Sequence, residues 1–168
     1  MDWPMFAIQW LHVLLGIAWF GSALTSNFIF IPALMTLPLA RQREAGGAFG
    51  EQANKVIPIA AMGVILLGIL RGTVFGQIKS LDALTSTYGI TWLLALIVAS
   101  ATFVWGKRII EPAINRMNAI PLADANLPDG SPSPAMVASI DRIKRVAGLE
   151  LIGFLVVFTC MILMRFGY

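Results

Sequence analysis

The sequence is poor in the charged residues that keep a soluble protein in solution. Only 12% of its 168 residues are Asp, Glu, Lys or Arg, whereas a typical soluble domain has about 25%. Apolar residues make up 58%, and the mean hydropathy is +0.79. This composition excludes an ordinary water-soluble domain and predicts one transmembrane domain over residues 1–168. The formal charge of +3 is too small to indicate a nucleic-acid partner.

Cysteine and histidine each occur once, as Cys160 and His12. A single cysteine excludes an intrachain disulfide and a cysteine-based metal site. A single histidine excludes the ligation of one haem by two histidines of the same chain. The sequence also lacks a Ser/His/Asp triad, paired carboxylates and a phosphate-binding loop, so we predict no catalytic residues.

Four apolar segments are long enough to cross a bilayer as helices, which takes about 20 residues each. They predict an all-α membrane four-helix bundle with spans at about 5–25, 56–76, 87–106 and 146–164.

Helical structure is expected to continue beyond three of these spans. The first helix should continue toward Pro32 and Pro38, and the third through 107–117 with a kink at Pro112. Ser133 followed by Pro134 is typical of a helix start, so the fourth helix should begin there, after the turn-rich segment 127–134. Helices 3 and 4 would therefore extend into the cytoplasm within the loop 107–145.

Lysine and arginine are distributed unevenly between the predicted loops. Nine lie in the first and third loops, whereas Lys79 and Arg165 lie on the opposite side, with Arg71 close to it inside the second span. Because cytoplasmic loops carry the excess of basic residues, we predict an inner or plasma membrane protein with both termini extracytoplasmic. Its partner is the lipid bilayer, and a homo-oligomer or a larger membrane complex is also considered. The nine residues are Arg41, Arg43, Lys55, Lys107, Arg108, Arg116, Arg142, Lys144 and Arg145.

Three ionisable residues lie inside the predicted spans, where each is a candidate functional group. They are His12, Arg71 and Glu150. His12 and Arg71 are predicted at similar depth in the same leaflet, whereas Glu150 lies toward the cytoplasmic side. For Glu150, local pairing or proximity to the interface is the simpler interpretation, and a proton relay is the alternative.

The residues around His12 suit a haem. Gly16, one turn along the helix, would leave room beside the imidazole for a flat macrocycle. Iron would then bind His12, a propionate would pair with Arg71, and Met161 is a candidate second metal ligand. The alternatives are a histidine that only hydrogen-bonds a neighbouring helix and an arginine that only reaches toward the interface.

A row of glycines in the second span also has two interpretations. Gly68, Gly72 and Gly76 recur at intervals of four, which places them on one face of a helix. Such a stripe is typical of a close helix–helix crossing, and the alternative is room for a flat ligand.

The run Trp-Leu-His-Val-Leu-Leu-Gly-Ile-Ala-Trp-Phe-Gly at 10–21 resembles the first helix of a membrane family. That family includes the copper-resistance D (CopD) proteins and the HemJ-type protoporphyrinogen oxidases. Ile-Pro-Ala-Leu at 31–34 is similar to the proline-containing continuation of that helix. The resemblance implies a function related to haem, porphyrin or copper, and His12 matches the histidine linked to haem binding in HemJ-type proteins.

HemJ-type enzymes carry an important lysine in the third helix, and residues 91–97 contain none. We therefore do not expect protoporphyrinogen oxidation. Only Met161 and Met164 have a spacing typical of copper-binding methionines, so copper transport is not favoured either. The predicted function is haem b binding for electron transfer or haem handling. An accessory or assembly subunit, or a transporter of a small ion or metal, is the alternative.

Overall fold

A computed structural model describes residues 2–128 and 131–168 of the chain. Helices dominate this part of the protein. The elements in order are α1 (Trp3–Thr25), a π-helical turn (Ser26–Phe30), α2 (Ile31–Leu34), α3 (Leu39–Thr73), a 3-10 turn (Asp82–Thr85), α4 (Thr87–Trp105), a second π-helical turn (Gly106–Ile110), α5 (Glu111–Asn118), α6 (Leu122–Ala125) and α7 (Pro134–Arg165).

Four continuous helical segments are long and apolar enough to cross a membrane. The predicted all-α four-helix bundle is thereby confirmed, and the chain is an integral membrane protein. Most large apolar side chains face outward, which suits contact with lipid tails. The four segments are Trp3–Leu34, Leu39–Thr73, Thr87–Asn118 and Pro134–Arg165.

The bundle consists of two helical hairpins. In the first hairpin α1 packs along α3, and in the second α4 packs along α7. Contacts between the hairpins are sparser, and they involve mainly α3 with α4 and α1 with α7. An aromatic cluster bridges the two hairpins near the middle, where the rings of Trp19 and Phe154 lie 4.8 Å apart in a T-shaped arrangement. The surface where the hairpins meet is called the seam below.

Each hairpin has a proline just after a π-helical turn in its first helical segment. Pro32 follows the turn Ser26–Phe30, and Pro112 follows Gly106–Ile110. Proline lacks an N–H group, and its ring clashes with the carbonyl four residues earlier. In both helices that carbonyl belongs to the π-helical turn, so the wider turn lets the helix continue past the proline. A kink was expected at Pro112, and the observed irregularity is the π-helical turn just before this proline.

Two predictions about helix ends are confirmed. The third segment continues to Asn118, and α7 begins at Pro134. Ser133 is the N-cap of α7, because its hydroxyl accepts a hydrogen bond from the N–H of Met136 at 3.4 Å. Of the turn-rich segment 127–134, residues 129 and 130 lie outside the described residues.

The prediction for the first loop and the second helix is partly wrong. The first segment ends at Leu34, and Pro38 is the N-cap of the next helix instead of a continuation. The basic residues predicted in the loop lie on α3, which begins well before its apolar part. Pro38, with its fixed backbone angle, suits the residue that precedes a helix, and Ala, Arg, Gln and Glu residues then favour the helix.

Candidate ligand-binding site

A cavity of about 150 Å³ lies in the seam, at the end of the bundle where α1 and α4 begin and α3 and α7 end. This end is called the cavity end below. Both hairpins contribute to its walls, α1 and α3 from one side and α4 and α7 from the other. The polar side chains at the cavity are Gln9, His12, Arg71, Trp92 and Arg165, and the remaining lining is apolar or methionine.

His12 is buried at the wall of this cavity, with 6% of its surface exposed. Its Nδ1 atom is buried and has no hydrogen-bond partner among the described residues. A Cβ atom at Gly68 would lie 3.2 Å from His12 Cε1, so the absent side chain gives the imidazole its place against α3.

Arg71 and Gln9 also have unpartnered atoms at the cavity. The Nε atom of Arg71 and the Oε1 atom of Gln9 are buried, and neither has a hydrogen-bond partner within the described part of the chain. No acidic side chain lines the cavity, and none of the ion pairs of the described residues includes Arg71. The cavity is therefore an electropositive space inside an apolar bundle.

Trp92 forms the facing wall and fixes the distance between the hairpins. Its indole N–H donates a hydrogen bond of 3.2 Å to the carbonyl of Gly68. A Cβ atom at Gly72 would collide with the indole ring, so only glycine fits there. Two glycines of the row thus each leave room for one side chain: Gly68 for His12 and Gly72 for Trp92. Gly76 lies beyond the end of α3 and is not part of the stripe.

The structure brings together three of the four residues predicted to bind a cofactor or metal. His12, Arg71 and Met161 all line the cavity. Gly16 does not line it, because the position of a Cβ atom there lies 3.9 Å from a methyl group of Val64. The space expected beside Gly16 is therefore occupied by α3. The roles of these residues remain predictions.

The side chains at the cavity fit a haem, whereas the volume of the cavity is too small for one. A histidine nitrogen without a partner, a methionine sulfur and an arginine for a propionate are the groups a haem b would need. Small-molecule sites, however, usually enclose about 300–1,000 Å³, and this cavity encloses about 150 Å³. A macrocycle could enter only if the seam widened. The described residues also contain no group of three or more His, Cys, Asp or Glu side chains that could hold a metal ion.

Glu150 lies away from this cavity, beyond Phe154 along α7. Its Oε1 atom is 3.1 Å from the position of a Cβ atom at Gly106, where the second π-helical turn begins. The ion pairs of the described residues do not include Glu150, so the local pairing considered for it is not observed there.

Three polar residues that line the cavity, Gln9, Trp92 and Arg165, are absent from the predicted site. Gln9 is a face neighbour of His12 at a spacing of three, which is the signal that could have identified it. Trp92 lies near the start of a span, where tryptophan commonly anchors a helix at the membrane interface. Its spacing in the sequence does not distinguish such an anchor from a residue that lines a cavity.

Comparison with known proteins adds no relative to this picture. No protein-family model matches the chain, and neither a curated protein nor a solved structure matches it.

Proposed function

We propose that this integral membrane protein binds a small ligand in the cavity of the seam. The observation that carries the proposal is that three residues lining one cavity each have a buried polar atom without a hydrogen-bond partner among the described residues. The atoms are Gln9 Oε1, His12 Nδ1 and Arg71 Nε.

The energetic argument concerns the cost of leaving these atoms without partners. A buried polar group without a hydrogen bond costs about 1–3 kcal/mol, and more if it is charged. The lipid environment offers such a group no alternative partner. A ligand that bonds to two or three of these atoms removes that cost, so binding is favoured by interactions that the chain alone does not complete.

Haem b is the second candidate, and a different observation favours it. Metal-binding histidines usually have one ring nitrogen bonded to a backbone carbonyl or carboxylate while the other binds the metal. His12 has a ring nitrogen available for such a bond, because Nδ1 is buried and has no hydrogen-bond partner among the described residues. His12 would hold the iron, Arg71 a propionate, and Met161 is available as a sulfur ligand. A bound haem b would supply one-electron chemistry for electron transfer or haem handling.

One preparation tests both candidates. The full chain is expressed with ample haem supply and purified in mild detergent, and its bound small molecules are identified by native mass spectrometry. Oxidised and reduced absorption spectra are recorded in parallel. We expect a retained ligand in the wild type and its loss in His12→Ala, because the substitution removes one wall and one bonding atom of the cavity.

Leu11→Ala is the matched control, since Leu11 neighbours His12 on α1 but is 40% exposed on the outer face. It should retain the ligand. A Soret band that disappears in His12→Ala and persists in Leu11→Ala identifies haem b. A wild-type protein that is colourless and carries no retained molecule contradicts both candidates.

A further inference from the structure

We infer that the group bound in the cavity is an anion, a carboxylate or a phosphate, and that Arg71 is its main partner. The inference rests on the proposed function, because it specifies the chemistry of the ligand that the cavity takes.

The first step is the charge of Arg71. A guanidinium remains charged under all ordinary conditions, and a cation within a membrane span is costly unless it is paired. The ion pairs of the described chain are Arg41–Glu44, Lys55–Glu51 and Lys107–Glu111, all of which lie away from the cavity. The counter-charge of Arg71 therefore has to come from outside the described chain.

The second step is the set of donors and acceptors. Trp92 has already used its indole N–H on the carbonyl of Gly68, so it adds no free donor. Among the described residues, Arg71 and Arg165 are the cations that line the cavity, and no carboxylate of those residues lines it with them. Arg165 is an exposed residue at the end of α7, where a second positive charge attracts an anion toward the cavity. Donors from a planar guanidinium match the paired oxygens of a carboxylate or phosphate.

The third step is the remaining surface of the cavity. Ala95, Leu96, Val157 and the two methionines give it an apolar lining next to the cations. A free inorganic anion would gain nothing from these groups, whereas an anion attached to a short apolar body would bury it against them. Two sources offer this chemistry, a free membrane-soluble carboxylic acid and the phosphate of a lipid headgroup.

The test uses the purified full chain in nanodiscs and compares isosteric probes. Hexanoate and hexanamide have similar size and apolar bodies, but only hexanoate is charged at neutral pH. In phosphatidylcholine nanodiscs we expect hexanoate to bind and raise Tm, and hexanamide to bind at least about tenfold more weakly, because a charge-assisted bond is lost. Nanodiscs containing phosphatidylglycerol test the lipid source. Both lipids have a phosphate, but in phosphatidylcholine the choline neutralises it, so a higher Tm in phosphatidylglycerol without added hexanoate identifies the phosphate of an anionic headgroup.

Arg71→Gln should reduce hexanoate binding, or the effect of phosphatidylglycerol, by about tenfold or more. Arg142→Gln is the matched control, since it removes an exposed cation of α7 that does not line the cavity. The wild-type comparison of the two probes decides the question even where Arg71→Gln fails to fold.

The outcomes separate this inference from the proposed function. If hexanoate and hexanamide bind equally, or if native mass spectrometry finds a neutral ligand, the inference that the ligand is an anion is overturned. The proposed binding function would remain. A protein that carries no ligand, binds neither probe and does not respond to phosphatidylglycerol overturns both.

Discussion

The two ends of the bundle treat their charged side chains differently. At the end with the π-helical turns, called the loop end, three ion pairs form within single turns of helix, each at 2.8 Å. At the cavity end Arg71 has no ion pair among the described residues, and three buried polar atoms lack hydrogen bonds. The cations of these three pairs are satisfied by neighbours along the same helix. At the cavity end the missing partners point to a molecule that is not part of the described chain.

The contrast extends to the links between the hairpins. At the loop end the guanidinium of Arg43 donates a hydrogen bond to the carbonyl of Ile120. This bond ties the first hairpin to the connection after α5. At the cavity end the link is the bond from Trp92 to the carbonyl of Gly68, which lies beside the cavity itself. A change in that link would alter the seam where we propose that the ligand binds.

Glu150 is the exception that limits the comparison. It is a carboxylate within a span, it lies away from the cavity, and it has no ion pair among the described residues. The buried polar atoms without partners in the described part of the chain are those of Gln9, His12 and Arg71 at the other end, and none is near Glu150. An unpaired charge alone therefore does not identify a site, and the cavity end is distinguished by several groups that share one space.

The largest predicted effect concerns which end faces the outside of the cell. The nine basic residues at the loop end predict that this end is cytoplasmic. Leu81 is 83% exposed between α3 and α4 at the cavity end, and Leu122 is 51% exposed at the start of α6. We expect Leu81→Cys to react with a membrane-impermeant maleimide in intact cells, and Leu122→Cys to react only after permeabilisation.

The native Cys160 is 3% exposed and should give little background, which Cys160→Ser in the same chains verifies. Labelling of Leu122→Cys alone in intact cells would reverse the orientation. The ligand would then reach the cavity from the cytoplasmic side of the membrane.

A smaller effect is expected from filling the space next to Trp92. In Gly72→Ala the new methyl group collides with the indole, whose rigid ring cannot move aside without leaving Gly68. Overpacking of this kind typically costs about 1–3 kcal/mol. We expect a lower free energy of unfolding, measured by denaturation in detergent, together with weaker ligand binding and a shift in tryptophan fluorescence.

Gly148→Ala is the matched control, because a Cβ atom there has nothing within 4 Å. Alanine is the better helix former by about 1 kcal/mol, so this variant should be as stable as the wild type or more stable. If the two substitutions had equal effects, Trp92 would not hold the seam as the contacts indicate.

The sequence predicts where the helices of this bundle lie in the chain better than it predicts which face of each helix points inward. Long apolar runs identify the four spans, and Ser133 with Pro134 marks the start of α7, because both signals are local. Depth in the membrane also follows from counting residues, and His12 and Arg71 do meet at one cavity. The rotation of each helix about its own axis, by contrast, does not follow from these local signals. Spans that are apolar on all sides lack the amphipathic pattern that shows the inward face of a soluble helix.

That missing pattern explains why the contacts of Gly16 and Trp92 were not predicted. Both lie on spans whose inward face depends on how small residues of neighbouring helices fit together. Gly16 faces Val64 and not the cavity, and Trp92 packs into the space left by Gly72. Contacts between residues far apart in the chain decide these orientations, so no local spacing predicts them.

The smallest predicted effect is at the loop end. Lys55 and Glu51 form an ion pair one turn apart on α3, with side chains 61% and 69% exposed. Such exposed pairs contribute about 0.3–0.5 kcal/mol, because water screens them and the long side chains lose freedom on pairing. Lys55→Ala should therefore lower the free energy of unfolding by no more than this amount, and it should leave ligand binding unchanged. A double-mutant cycle with Glu51→Ala isolates the pair from the effect of the alanine. A coupling energy well above 1 kcal/mol would break the comparison, since a partnered charge at the loop end would then matter as much as an unpartnered one at the cavity.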